Sequence, residues 1–255
     1  MFRHLVLIAL FLPSILLAHD KFILITTPKC GSHLIIHILN EMLHKVDQRQ
    51  LRSDFPDFLE ELMSAEQKHT YLSTHQPCDQ EAVDFVKAHG YKIIFIIRDP
   101  RDQLVSLMYY NQKGYWPQLP MDHMSESEQI EELITGNQFG LRAYDECYGK
   151  RLGWADLGSE VTYVTTFEKL VGSRGGGSDA EQIQEILNIA AHLSIPISPK
   201  QCKRIAKKVY GQGFTFRKGM IGSWTSHFTE EHKELFKLMY GQQLIELGYE
   251  DDLNW

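Results

Sequence analysis

The stretch FILITTPKCGSHLIIHILNEML, residues 22 to 43, joins an apolar, strand-like run to a helical pattern through a short turn. The apolar residues after Gly31 recur at helical spacing, so a helix is predicted to begin there. A helix that starts directly after a strand aims its unpaired backbone N–H groups at the end of that strand, where they favour an anion. Lys29, within the turn, adds a positive charge. The stretch therefore predicts an anion-binding site between a strand and a helix.

Strand-like runs alternate with helix-favouring segments along the chain. The runs are residues 22–26, 71–74, 91–97 and 161–165. Alternation of this kind predicts an α/β fold, in which a central and mainly parallel sheet lies between two layers of helices. No stretch has the composition of an interdomain linker, so residues 21–255 are predicted to form one domain.

The run YKIIFIIRDP is the clearest strand, because it is almost wholly apolar, as strands buried on both faces are. Asp99 is a suitable N-cap and Pro100 suits the first helical position, so a helix is predicted to start directly after the strand. Arg98 is then left at the carboxyl end of the strand. Open α/β sheets bind their ligands at that edge.

Charge and cysteine content exclude several classes of function. The formal charge of −7 argues against nucleic-acid or anionic-membrane binding, so any anionic ligand must be held by a local basic pocket. The four cysteines are Cys30, Cys78, Cys147 and Cys202. They are widely spaced and form no CxxC pair, which favours reduced thiols over a disulfide scaffold or a structural zinc site.

Residues 1–20, MFRHLVLIALFLPSILLAHD, have the layout of a signal peptide: Arg3 and His4 precede an apolar run. The run is shorter than the ~20 residues that a spanning helix needs, and Pro13 interrupts it, which disfavours a full transmembrane span. A packed or membrane-lying segment is the alternative. This N-terminus predicts a secreted or membrane-associated protein, with a cytoplasmic location as the alternative.

Three further segments carry local predictions. Residues 112–127 have the glycine, proline and aromatic content of a long loop, either a lid or a solvent-facing segment, and residues 172–179 are predicted to be a flexible surface connection. The last helix is predicted from Thr229, as N-cap, to Leu247. Because His232 holds its third position instead of Glu or Gln, no capping box is predicted.

Three motifs, in order along the chain, resemble those of the sulfotransferase family. TTPKCGSHL is similar to the family's 5'-phosphosulfate loop, whose usual form is PKSGTTW. IIFIIRDPRDQLVSLMYY is similar to its 3'-phosphate motif, in which a serine follows a strand-ending arginine. FRKGMIGSWTSHFT is similar to its RKGxxGDW segment. With the intervening elements, the resemblance covers nearly the whole chain after residue 21.

The resemblance implies a P-loop NTPase-like sulfotransferase fold and the sulfuryl donor 3'-phosphoadenosine 5'-phosphosulfate (PAPS), with no metal. It also implies a small-molecule or carbohydrate acceptor. Lys29 would stabilise the leaving phosphate, and His75 in YLSTHQP resembles the general base of the family's K-T-H segment. The donor-binding residues that it implies are Lys29, Cys30, Gly31, Ser32, His33, Arg98, Ser106, Phe167, Arg217, Lys218 and Gly219.

The chain also departs from the family pattern. Ser73 stands where the family has a lysine two residues before the histidine, and Ser223 stands at the aspartate of RKGxxGDW. Leu34 replaces the tryptophan that stacks on adenine, which leaves Phe167 as the candidate ring. Because the lysine is missing at Ser73, one alternative function is a module that binds the nucleotide but does not catalyse transfer.

A small-molecule kinase is a second alternative, but the ATP-binding pattern GxxxxGK[ST] is absent. His33 and His37 are spaced i, i+4, as in some metal sites. No glutamate follows His33 as in HExxH, so their spacing predicts an ordinary helix face rather than a metal site.

Overall fold

The computed structural model describes residues 19–44, 48–50, 71–115, 119–213 and 215–255. The predicted signal or anchor segment lies almost entirely outside these residues, as does Trp116 of the predicted lid loop. Among the described residues, no helix combines the length and the apolar character needed to span a bilayer.

The described part of the chain contains a five-stranded parallel sheet. Its strands are β1 (Phe22–Thr26), β2 (Gln48–Gln50), β3 (Tyr71–Thr74), β4 (Lys92–Ile97) and β5 (Thr162–Thr166). Their spatial order is β2-β3-β1-β4-β5, with β1 at the centre between two parallel neighbours. The four strands predicted from the sequence are confirmed within one residue at each end, whereas β2 was not predicted.

Eight α-helices cover this sheet in the described residues. They are α1 (Ser32–Met42), α2 (Gln80–Ala88), α3 (Pro100–Gln112), α4 (Glu126–Thr135), α5 (Phe167–Val171), α6 (Asp179–His192), α7 (Pro199–Val209) and α8 (Glu230–Glu246). A π-helix at Asp145–Gly149 and 3-10 turns at Leu152–Leu157, Ser173–Gly175 and Ser223–Ser226 complete them.

The sheet separates two hydrophobic cores, because alternate residues of each strand face opposite sides. Ile23 and Phe95 belong to the core that contains residues of α2, α3, α4 and α8, while Leu24 and Ile94 belong to the core that contains residues of α1, α6 and α7. Both faces of the central strands are thus buried, which explains their nearly continuous apolar sequence. The predicted three-layer α/β/α fold is confirmed.

Helix α3 begins as the sequence predicts. Asp99 caps it by accepting a hydrogen bond from the backbone N–H of Arg101, and Pro100 occupies the first position. The cap fixes where the strand ends and the helix starts, so Arg98 lies between them at the carboxyl edge of the sheet.

The prediction for the start of α8 was wrong in one respect. Thr229 is the N-cap, as expected, but the Nδ1 atom of His232 accepts the N–H of Thr229 while the Thr229 hydroxyl accepts the N–H of His232. A reciprocal capping box therefore forms with histidine, whose neutral ring supplies the acceptor that glutamate usually supplies.

The segment 172–179, predicted to be a flexible surface connection, is tied into the fold. Gly175 is buried, and its carbonyl oxygen accepts the N–H of Ile221 at 2.9 Å. This bond joins the segment to the loop that carries Arg217 and Lys218, so it helps to position that loop.

Candidate active site

A cavity of about 990 Å³ opens at the carboxyl edge of the sheet. Four strands end there. His75 directly follows β3, Arg98 follows β4 and Phe167 follows β5. All the site residues predicted from the sequence line this cavity except Cys30. Parallel strands end at one edge, which is why motifs far apart in sequence meet here.

The turn after β1 holds Lys29 in a left-handed conformation, with φ 66°. Its ammonium lies 3.6 Å from the ring centroid of Tyr110, a residue of α3 that the sequence did not single out. Burial, with smaller contributions from the nearby Arg98 and Lys113, lowers the pKa of Lys29 to about 8. Lys29 is therefore a partly desolvated cation that a bound anion would stabilise.

Helix α1 starts directly beyond this turn. Gly31 is its N-cap, with φ 96°, and it has no side-chain cap. The first backbone N–H groups of the helix, at Ser32 and His33, are thus available to a ligand at the positive end of the helix dipole. The strand, the turn with its cation and the helix start follow one another as the sequence predicts, and anion binding there stays a prediction.

Cys30 points away from the cavity. Its side chain is fully buried, and the thiol lies 3.1 Å from the hydroxyl oxygen of Tyr148. Burial raises the pKa of this thiol to about 12. Its backbone N–H is already bonded to the carbonyl of Thr27. The predicted role of Cys30 in donor binding has no support from this geometry.

His75 is fixed by the end of β1. Its Nδ1 atom lies 2.8 Å from both the carbonyl oxygen and the hydroxyl oxygen of Thr26. A carbonyl only accepts, so Nδ1 carries the proton and Nε2 carries the lone pair. Burial, with smaller contributions from Arg151 and Lys29, lowers the pKa of His75 to about 4, despite the opposing hydrogen bond with Thr26. The ring is neutral at physiological pH, with its one proton on Nδ1.

Arg98 is buried, and its guanidinium is only partly satisfied by protein groups. One terminal nitrogen donates to the carbonyl of Met220 at 2.8 Å and to Asp102 at 3.3 Å. The Nε atom is buried and has no hydrogen-bond partner in the described residues. A buried donor without a partner is costly, so a ligand oxygen that paired with it would bind favourably.

Phe167 contributes little aromatic surface to the cavity. Only 5% of the residue is exposed, and the guanidinium of Arg98 lies 4.3 Å from the ring centroid. Its ring is thus covered by Arg98 and packed against Gly31. The expectation that Phe167 replaces the missing tryptophan as an adenine platform gains no support from this placement.

The C-terminal motif supplies the remaining cations. Arg217 is half-buried over the ring of Tyr109, with the guanidinium carbon 4.0 Å from the ring centroid, and Lys218 is exposed beside it. Gly219 has φ 61°, so the chain turns there. Ser106, on α3, also lines the cavity.

Asp102 connects the C-terminal motif to Arg98. Its carboxylate accepts the N–H of Gly222 at 2.8 Å, the hydroxyl of Ser223 at 3.0 Å and the N–H of Trp224 at 2.9 Å. Ser223, which stands where the family usually has an aspartate, thus donates to this carboxylate. Serine at this position thus donates a hydrogen bond to Asp102, whereas an aspartate would place a second negative charge beside it.

The lining residues that the sequence analysis missed include Tyr110, Lys150 and Arg151. Tyr110 lies under Lys29, while Lys150 and Arg151 follow the π-helix at Asp145–Gly149. Tyr110 ends the quoted 3'-phosphate motif but was not singled out there, and no motif marks the other two, since a π-helix has no clear sequence pattern. Among the described residues, no cluster of three His, Cys, Asp or Glu side chains is arranged to hold a metal ion.

Comparison with known proteins identifies the family. The family model described as a sulfotransferase domain matches residues 19–248. Guinea-pig (Cavia porcellus) 3-beta-hydroxysteroid sulfotransferase is 24% identical over 92% of this chain and 86% of its own length. Human sulfotransferase 6B1 is 26% identical over 86% of this chain and 76% of its own length.

Two solved structures share the fold. Mouse sulfotransferase SULT7A1, complexed with PAP, aligns with a TM-score of 0.66 and 19% identity, over 90% of this chain and 85% of that one. Retinol dehydratase, in complex with androsterone and the inactive cofactor PAP, aligns with a TM-score of 0.57 and 15% identity, over 88% and 80%. The chain therefore belongs to the sulfotransferase family of PAPS-dependent enzymes.

Proposed function

We propose that this protein transfers the sulfuryl group of PAPS to a hydroxyl or amine of a small-molecule or carbohydrate acceptor, with His75 as the general base. One observation carries the proposal. Lys29, His75 and Arg98 come from three separate segments and line one cavity. An anion held between Lys29 and Arg98 would lie beside the imidazole of His75.

The two ends of the nucleotide would be held by different groups. The N-terminus of α1 and Lys29 suit the 5'-phosphosulfate, because they offer backbone N–H groups and a cation at one point. The 3'-phosphate would lie between Arg98 and Arg217, near Ser106, Lys218 and the backbone of Gly219. The unpartnered Nε of Arg98 supports this placement, since a phosphate oxygen would satisfy it.

His75 would accept the proton of the acceptor through Nε2. The Thr26 carbonyl occupies Nδ1, which fixes both the tautomer and the orientation of the ring. In the empty site, the low pKa of His75 keeps its ring neutral, with Nε2 free to accept a proton. A bound polyanionic donor would raise the pKa of His75 toward neutrality, which suits a base that takes a proton in the transition state.

Lys29 would stabilise charge on the bridging oxygen as the sulfuryl group leaves. Sulfuryl transfer spreads charge over several oxygens, so positioning and electrostatic stabilisation supply most of the catalysis, as in phosphoryl transfer. In this scheme the cationic side chains take the role that metal ions have in many phosphoryl transferases.

Transfer of labelled sulfate from PAPS across a panel of alcohols, phenols, amines and sugars tests the proposal directly. We expect label in at least one acceptor class, with turnover lost in Lys29→Ala and in His75→Ala. Tight PAP binding without turnover on any acceptor would instead favour a binding module. Magnesium-dependent loss of the γ-phosphate of ATP would favour a kinase.

A further inference from the structure

Arg151 is a buried cation on the wall of the cavity. It is 6% exposed, and its side chain lines the same cavity as His75. Its Nε donates to the carbonyl of His75 at 2.6 Å, and one terminal nitrogen donates to the carbonyls of Glu146 and Cys147. These backbone contacts fix the guanidinium in place beside the candidate base.

No carboxylate neutralises Arg151 within the described residues. The nearest acidic side chain on its segment, Glu146, is paired with Lys150 at 2.8 Å. The other terminal nitrogen of Arg151, Nη2, has no hydrogen-bond partner in the described part of the chain. The guanidinium donates only to neutral carbonyls among the described residues, and burial lowers its pKa although Glu146 partly opposes this at a distance. An anion that bound Arg151 would offset part of the cost of burying its charge.

The position of Arg151 separates it from the groups assigned to the nucleotide. Glu146, whose carbonyl accepts from Arg151, and the preceding residue Lys150 also line the cavity, and neither belongs to the turn after β1 or to the C-terminal motif. The charge of Arg151 also acts on the proposed base. Burial lowers the pKa of His75 most, and Arg151 lowers it more than Lys29 does. The guanidinium thus lies beside His75, on a part of the cavity wall to which the proposed function assigns no nucleotide group.

We propose that the acceptor is an acid, and that Arg151 binds its carboxylate, sulfate or phosphate group while His75 deprotonates its hydroxyl or amine. This inference rests on the proposed function of the same cavity. The paired charges of Glu146 and Lys150 add polar groups to the lining of the same cavity. A wholly apolar acceptor would cover Arg151 without offering an anion, so such compounds should bind poorly.

Two matched phenols test the proposal: 4-hydroxybenzoate and its neutral methyl ester. Binding of each is measured by calorimetry with and without saturating PAP, and turnover is measured with PAPS. In the wild type we expect the acid to bind at least tenfold more tightly than the ester, with a difference that shrinks as salt rises. Equal affinities for acid and ester would overturn the proposal.

Variants locate the effect. Arg151→Gln should remove the preference for the acid and leave the Kd of PAP unchanged, while Arg151→Lys should keep part of the preference. Arg142→Gln, on an exposed residue paired with Asp145, is the matched control and should retain it. A preference that persists in Arg151→Gln, or a kcat that falls equally for both phenols at unchanged affinity, would assign Arg151 another role, such as contact with the sulfuryl group.

Two further readouts keep the result decisive. If Arg151→Gln does not fold, shown by loss of its thermal transition, the comparison of phenols in the wild type and in Arg151→Lys decides. Failure of the wild type to bind PAP would count against the proposed function alone. The preference between acid and ester, measured without PAP, would then still support or overturn the role of Arg151.

Discussion

Gly31 lies against Phe167 so closely that a Cβ atom on the glycine would be 2.8 Å from Cδ2 of the ring. The glycine also has φ 96°, a conformation that side chains disfavour. The ring cannot move aside easily, because it is buried beneath Arg98. The start of α1 is thus built on a residue that has no side chain.

Gly31→Ala should therefore destabilise the protein by about 2–4 kcal/mol, from backbone strain and overpacking together. It should also weaken PAP binding, because the N–H groups of α1 would shift. Urea denaturation and PAP titration measure the two effects. Gly90→Ala is the control: its φ is 67°, but nothing lies within 4 Å of the added Cβ, so only the strain remains. Equal losses in the two variants would contradict the close contact.

Binding of PAP should be accompanied by proton uptake near pH 8. The pKa of Lys29 in the empty site is about 8, so about half of the molecules lack this proton at that pH. A bound phosphate favours the charged form and raises the pKa, so up to about half a proton is taken up per nucleotide. Calorimetry in buffers of different ionisation enthalpy measures this number. In Lys29→Met it should fall toward zero, and unchanged uptake would remove Lys29 from the site.

Replacing the proposed base should affect turnover and leave donor binding nearly intact. In His75→Asn, the side-chain amide can still donate to the carbonyl of Thr26, but no ring nitrogen remains to accept a proton. We expect kcat to fall about 10²- to 10⁴-fold, the usual contribution of general base catalysis, while the Kd of PAP stays within a few-fold. His89→Asn, on an exposed histidine outside the cavity, should retain full activity.

Stability should decrease in acid partly through His75. Burial lowers its folded pKa to about 4 from the usual 6.5, so the unfolded chain binds the proton more readily. The contribution of the neutral ring is complete above pH 6.5 and is lost as the pH falls to about 4. The wild type should thus lose up to about 3 kcal/mol more unfolding free energy than His75→Asn across that window. Urea denaturation at several pH values measures it, and parallel curves would refute the shift.

Arg217 should discriminate for the 3'-phosphate. It is half-buried on Tyr109 and forms no salt bridge in the described residues, so its removal should spare the fold. Arg217→Ala should weaken PAP binding at least about tenfold, the range expected for a charge-assisted hydrogen bond. Binding of AMP, which lacks the 3'-phosphate, should change little. Arg204→Ala, an exposed arginine on α7, is the control, and equal losses for PAP and AMP would place Arg217 elsewhere.

Local patterns in the sequence determined the elements that carry the site. The apolar run of β4, the cap at Asp99 and the helical spacing after Gly31 depend on neighbouring residues alone, so the strand and helix starts followed from them. The motif resemblance assigned Lys29, His75 and Arg98 to one chemistry. Parallel strands end at a common edge, and that edge brings the three together.

Only the tertiary structure decided how individual side chains are used. The pairing of β2 with β3 and the inward position of Cys30 depend on contacts between segments distant in sequence. Two further features depend on such contacts: Arg98 covers the ring of Phe167, and Arg151, which forms no ion pair in the described residues, lies beside His75. A sequence pattern records the period of a helix or strand. Burial and charge pairing arise only when the packed chain excludes water and sets which groups meet.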